Sequence, residues 1–258
     1  MRFILVRKRI VLGVVVGALI LTALGVGVTL TGAAEVYLNR PTRKLPIYSV
    51  ETDDKVVALS FDAAWGAERT EGIVAVLKKY EVPATFFLVG FWVDENPEKV
   101  KMLDGAGIEI GTHSNTHPHM NGLTDMQMKL ELETSSARIA AITGKPVALF
   151  RAPFGEYSDR LLTAAEGLNL KTIQWDVDTL DWQKLAASDI AARVLTKAAA
   201  GSIVLMHNDG LHTLEALPLI IEGLKNKGFG FKTVGDLVYK DNYTVDHTGR
   251  QRPAAPKQ

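Results

Sequence analysis

The chain of 258 residues is predicted to be an α/β protein built on a parallel sheet and preceded by a membrane-spanning helix. Three observations carry that prediction. Seven short β-branched or aromatic runs alternate with helical patterns between residues 56 and 232, and such alternation winds a parallel sheet, either doubly wound or closed into a (β/α) barrel. Reactive side chains recur where those runs end, the place where parallel α/β folds hold their ligands. Finally, an uncharged run of 25 residues, 10–34, directly follows a basic cluster.

At the N-terminus, Arg2, Arg7, Lys8 and Arg9 precede the apolar run. That run is long enough to cross a hydrocarbon core of about 30 Å as a helix. It exceeds the roughly 7–15 apolar residues of a cleaved signal, so retention is favoured over cleavage near Ala34. The basic flank stays in the cytoplasm and residues from Glu35 onward are exported. The expectation is therefore a single-pass cell-membrane protein with an extracytoplasmic body. Its segments are a cytoplasmic stretch 1–9, a transmembrane helix 10–34, a linker 35–54, a domain 55–240 and a flexible tail 241–258.

Within the domain the strand candidates are 56–62, 84–89, 108–112, 147–150, 171–175, 202–206 and 230–232. A helix over 68–80 places Ile73, Val76, Leu77 and Tyr80 on one face, and Pro83 bars its continuation. A second, over 124–143, opens on Thr124 and Gln127 as a capping box and closes before Gly144 and Pro146.

The formal charge balances at 29 basic and 29 acidic residues. Outside the N-terminal cluster, 25 basic residues face 29 acidic ones, a net of −4, which provides no field for nucleic acid. The absence of cysteine excludes disulfides and thiolate-bound zinc. No feature marks a protein partner.

Five strand ends supply one set of chemistry. Asp62 ends the first, and Arg151 after the fourth could pair with it and keep it ionised as a general base. His113 and His117, four apart, could hold a divalent metal that needs a further ligand, with His119 as a substitute. Pro153 and Gly155 around Phe154 suggest a shaped loop with backbone N–H groups for an oxyanion. His207 ends the sixth strand, and Asp181, or else Asp178, could raise its pKa so that it donates to a leaving nitrogen. Base and acid would then stand apart with a metal between them. Trp65, Trp175, Trp182 and Phe154 suit either sugar stacking or a core.

These motifs, Ser60-Phe61-Asp62, His113-Ser-Asn-Thr-His117, Arg151-Ala-Pro153-Phe-Gly155, Asp178-Thr-Leu-Asp181-Trp182 and Leu205-Met-His207, resemble in order those of the polysaccharide deacetylases with a NodB homology domain, carbohydrate esterase family 4. The resemblance implies a distorted (β/α) barrel of about seven parallel strands that removes N-acetyl groups from amino sugars of cell-wall glycan, using one divalent metal, with zinc expected. It implies Asp62 as base, His113 and His117 as metal ligands, Arg151 orienting the base, His207 as acid and Asp181 tuning it. Leu205 and Trp182 would line the acetyl pocket, and the Phe154 N–H would face the oxyanion. The family's third metal ligand falls at Ala63, which cannot ligate, so metal occupancy is left open. A softer similarity to membrane-anchored, sporulation-type members points to peptidoglycan. The rival expectation is a weakened or inactive glycan-binding member, and a third is an amidase or other hydrolase on the same barrel.

Overall fold

The computed structural model describes residues 43–254. The expected cytoplasmic segment and transmembrane helix lie outside the described residues, among which no helix is long and apolar enough to cross a membrane. In chain order the elements are β1 (Ser49–Val50), β2 (Val56–Ala63), α1 (Thr70–Tyr80), β3 (Ala84–Leu88), α2 (Gly90–Glu95), α3 (Pro97–Gly105), β4 (Glu109–Thr112), α4 (Asp125–Thr143), β5 (Leu149–Phe150), α5 (Asp159–Gly167), β6 (Lys171–Thr172), β7 (Val177–Asp178), α6 (Ala187–Lys197), β8 (Ile203–His207), α7 (Thr213–Asn226), β9 (Gly230–Lys232), α8 (Val234–Leu237), β10 (Tyr243–Val245) and β11 (Arg250–Pro253).

Seven strands form one parallel path, β6-β5-β4-β3-β2-β8-β7, and β9 pairs with the start of β2. The central strands β2 and β3 are almost wholly buried. They read as near-continuous apolar runs because helices cover one face and a second apolar cluster, with Ala58 and Phe87, fills the other, inside a curled half-barrel that β6 and β7 leave open. On β2, Val57, Leu59, Phe61 and Ala63 pack in the main apolar core with Ile73, Val74 and Leu77 of α1. α1 ends where Glu81 turns left-handed ahead of Pro83. α4 carries both halves of the Thr124–Gln127 capping box and stops at left-handed Gly144.

The expected number of about seven parallel strands holds, but their identity differs in detail. The expected strand 171–175 forms a ladder only over Lys171–Thr172, with an isolated bridge from Ile173 to Ile47, and β7 was not foreseen; the expected strand 230–232 lies off the path, paired with the start of β2. At two residues each, β6 and β7 are too short for hydrophobic periodicity to register.

The linker and tail expectations also need correction. Ile47 receives the Gln174 N–H and donates to the Thr172 carbonyl, at 2.7 and 3.0 Å. Three residues on, the Val50 N–H donates to the Gly201 carbonyl at 2.9 Å, and Ser49 bridges Ser202. Residues 47–50 therefore link the β6 edge to the base of β8. Gly201 (φ 82°) allows this approach, since a Cβ there would stand 1.7 Å from the Val50 carbonyl oxygen. The supposed flexible tail supplies β10 and β11, which form a three-stranded sheet with β1. Burial of Ile47, Val50 and Gln251 drives this order, with the Gln251 side chain accepting from the Tyr239 N–H and donating to the Tyr239 carbonyl.

Candidate active site

The carboxyl ends of β2, β4 and β8, with the turns after β5 and β7, surround a cavity of about 460 Å³. Asp62, His113, His117, Phe154, Gly155, Trp182, Leu205 and His207 line it, while Arg151 and Asp181 stand behind. Pro153 is buried in its turn and contributes no lining. Asp62 and His207 are register partners on adjacent strands. The base and acid candidates thus end neighbouring parallel strands, each backed by its own buried partner.

Asp62 is buried, and its Oδ1 accepts from Arg151 Nη1 at 2.8 Å. Arg151 is fully buried, donating through Nη2 to Ser60 Oγ at 2.8 Å and to the Gln174 carbonyl at 3.2 Å, and lying 4.2 Å from the centre of the Phe87 ring. Burial alone would raise the Asp62 carboxyl, but the charge of Arg151, helped by His113 and His207, carries the result below the ordinary carboxylate value.

His113 follows β4 and is buried. Its Nδ1 donates to the Arg151 carbonyl at 2.8 Å, because a carbonyl can only accept. Burial, outweighing the nearby Asp62 charge, lowers its pKa, so the ring is neutral with Nε2 bare, 3.5 Å from Asp62 Oδ2. His117 sits in a compact loop, its ring centre 5.0 Å from that of His113 and edge-on to Trp65 and Phe154 at 4.8 and 4.7 Å. Burial, reinforced by His113, lowers its pKa to about 4.

Two neutral imidazoles suit a divalent metal, but a catalytic zinc site takes three protein ligands. At the third place, Ala63 is fully buried in the apolar core and offers no donor. Among the described residues no group of three His, Cys, Asp or Glu is arranged to hold a metal ion. His119 does not make up the shortfall: it is stacked on Phe154 with ring centres 4.3 Å apart and bonded through Nδ1 to Glu156 at 2.9 Å. The donor set therefore fits the implied metal incompletely.

On the other side, His207 Nδ1 donates to Asp181 Oδ1 at 2.7 Å and the His207 N–H to Asp181 Oδ2 at 2.8 Å, where Thr213 Oγ1 also donates at 2.6 Å. Burial would lower the His207 pKa, but the bond to Asp181 and its charge, with Asp62, raise it. His207 is thereby held protonated beyond the ordinary imidazole range, with Nε2 left for the cavity. The carboxylate behind it is Asp181; Asp178 lines the cavity instead, and its Oδ1 accepts from the Leu180 N–H at 2.8 Å.

Phe154 is left-handed (φ 60°), as are His117 (φ 56°) and Leu180 (φ 55°). Such backbone costs a residue with a Cβ and concentrates at functional sites. Trp65, Phe154 and Trp182 are each more than half exposed at the rim. Trp65 lines the cavity as an exposed surface, whereas Trp175 lines it while packing against the second apolar cluster, so it serves both surface and core. Sequence reasoning missed Asp209, also in the lining, although its place two residues beyond the β8 terminus was a usable signal.

A parallel (β/α) sheet with a carboxylate, three imidazoles and a buried arginine at its carboxyl end defines a hydrolase-type pocket. Comparison with known proteins specifies the family. The family model "Polysaccharide deacetylase" matches residues 49–173. The uncharacterized protein YlxY of Bacillus subtilis is 37% identical over 193 residues, 75% of this chain and 60% of YlxY. The peptidoglycan-N-acetylmuramic acid deacetylase PdaA of B. subtilis is 32% identical over 200 residues, 75% of each chain. Among solved structures, BA3943 of Bacillus anthracis, a CE4 family pseudoenzyme, superposes with a TM-score of 0.73 at 37% identity, over 76% of this chain and 69% of that one. The chain belongs to the polysaccharide deacetylase family.

Proposed function

We propose that the chain is a hydrolase that removes N-acetyl groups from amino sugars of cell-wall polysaccharide, peptidoglycan foremost. PdaA and other relatives named peptidoglycan deacetylases support this substrate class. The observation that carries it is the geometry at adjacent strand ends, a carboxylate, Asp62, hydrogen-bonded to a buried guanidinium and an imidazole, His207, hydrogen-bonded to a buried carboxylate, an arrangement that favours an ionised Asp62 and a protonated His207.

In this reading Asp62 takes a proton from the attacking water as its oxygen bonds to the acetamide carbon. The turn at Phe154 presents backbone N–H to the developing oxyanion. His207 gives its proton to the sugar nitrogen as the C–N bond breaks, so acetate and a free amine leave. Leu205 and Trp182 shape the acetyl pocket. Arg151 and Asp181 act through Asp62 and His207 and touch no substrate. No step is assigned to a metal, because the donor set is short of one ligand. The proposed setting is extracytoplasmic, on a membrane anchor at 10–34.

The test is acetate release from peptidoglycan or chitooligosaccharide by the full chain. Asp62→Asn is expected to lower the rate at least ~100-fold, the lower range for a positioned general base. An unchanged rate would remove Asp62 from the chemistry.

Ala63 favours a second reading, a glycan-binding member with little or no turnover. BA3943 is a pseudoenzyme of comparable fold, and a mutant of it is described as having restored enzymatic activity. Tight glycan binding without acetate release would select this reading.

A further inference from the structure

The loop between His113 and His117 is held in an unfavourable shape by a residue outside the cavity. Ser114 (φ 72°) and His117 (φ 56°) are both left-handed, a conformation strained for side chains with a Cβ. Between them the backbone N–H groups of Asn115 and Thr116 both donate to Oε2 of Glu131, on α4, at 2.8 Å each. The Thr116 hydroxyl donates to Oε1 of the same carboxylate at 2.7 Å. Successive amides beside left-handed residues make a concavity for an anion, and here a side chain of the protein fills it.

The opposite side of the loop is closed by the start of α2. The Gly90 N–H donates to the Ser114 carbonyl at 3.0 Å and the Phe91 N–H to the Asn115 carbonyl at 3.2 Å. Gly90 is required there, since a Cβ would stand 2.2 Å from Asn115 Oδ1 and 3.0 Å from its Cα. Inside the loop the His117 N–H donates to Ser114 Oγ at 3.0 Å. Clamped from both sides, the loop sets the His117 ring between Trp65 and Phe154.

We infer that Glu131 is a positioning residue whose carboxylate, by holding the Asn115 and Thr116 amides, fixes the His117 imidazole at the cavity. Glu131 is not part of the cavity lining. The inference rests on the proposed function only for its kinetic consequence, and its structural consequence stands alone. Glu131→Ala leaves two amides without their acceptor and the strained loop without its counterweight. Glu131→Gln keeps a carbonyl oxygen for the same amides and an NH₂ group for the Thr116 hydroxyl.

The experiment is NMR of the full chain, purified in detergent and labelled at histidine, reading the His117 ring protons that Trp65 and Phe154 displace by ring currents. Glu131→Ala is expected to move those resonances to near random-coil positions, and Glu131→Gln to restore them. In acetate release, Glu131→Ala should lower kcat/KM, because the displaced His117 ring lines the cavity that receives the substrate, and Glu131→Gln should keep it near the wild-type value. Wild-type positions in Glu131→Ala, or equal displacement in both variants, would overturn the inference. Should Glu131→Ala not fold, Glu131→Asp, too short to reach both amides, must shift the His117 resonances part of the way; unshifted resonances would overturn it equally. A wild-type chain that releases no acetate would count against the proposed function and leave the spectroscopic test intact.

Discussion

On one side of the cavity a carboxylate, Asp62, faces the open space and its cation, Arg151, is buried behind it. On the other an imidazole, His207, faces the space and its carboxylate, Asp181, is buried behind it. Both are hydrogen-bonded ion pairs of similar length, and burial opposes the charged form in each. They differ in which member meets the substrate. One parallel sheet thereby presents a proton acceptor and a proton donor on neighbouring strands.

The largest break in this comparison is Arg151→Met. It strands the Asp62 carboxylate in a buried site, and removing one partner of such a pair costs about 3–5 kcal/mol. Chemical denaturation should show a loss of that order. A loss under ~1 kcal/mol would mean that water relieves the site.

Asp181→Asn removes the group that raises His207. The alkaline limb of the acetate-release profile is then expected to move to lower pH, with the rate near neutrality falling ~10-fold or more. The stability link has a definite sign. Because the folded His207 value lies above 6.5, its contribution is complete below pH 6.5 and fades as pH rises through the raised value. In Asp181→Asn that alkaline loss of stability should vanish. An alkaline limb that stays in place would assign it to another group.

Ala63→Asp sharpens the comparison on the Asp62 side by returning a third donor beside His113 and His117. Calorimetry is expected to show zinc binding at least ~10-fold tighter than in the wild type. Unchanged affinity would show that this position, packed in the apolar core, points away from the imidazoles. The smallest effect is expected for Trp182→Ala, which should weaken glycan binding by no more than about 1.5 kcal/mol, the scale of a ring contact at an exposed rim. No change in affinity would take Trp182 out of the sugar contact surface.

Much of this was legible from residue order. A buried parallel strand must be apolar until it reaches its polar end, so Asp62 and His207 announced themselves as interruptions at the ends of β2 and β8. The α4 boundaries followed from a capping box and a left-handed glycine, both local chemistry. Long-range contacts left no such mark. Ser49–Val50, Tyr243–Val245 and Arg250–Pro253 form strands because distant segments pair with them, and their few apolar side chains gave no period to read. Glu131 was invisible for a related reason: on α4 it reads as one charge among many, and only the fold brings it to the Asn115 and Thr116 amides. Asp178 and Asp181, three apart, were not separable by spacing; the motif resemblance pointed to Asp181, and the hydrogen bonds to His207 fall on it.

The most direct test of the two-sided cavity is an NMR pH titration of the full chain that follows the Asp62 carboxyl carbon and the His207 imidazole together. Asp62 is expected to titrate below 3.8 and His207 above 6.5. An Asp62 midpoint above 3.8 combined with a His207 midpoint below 6.5 would contradict the opposed protonation states on which the proposed hydrolysis depends.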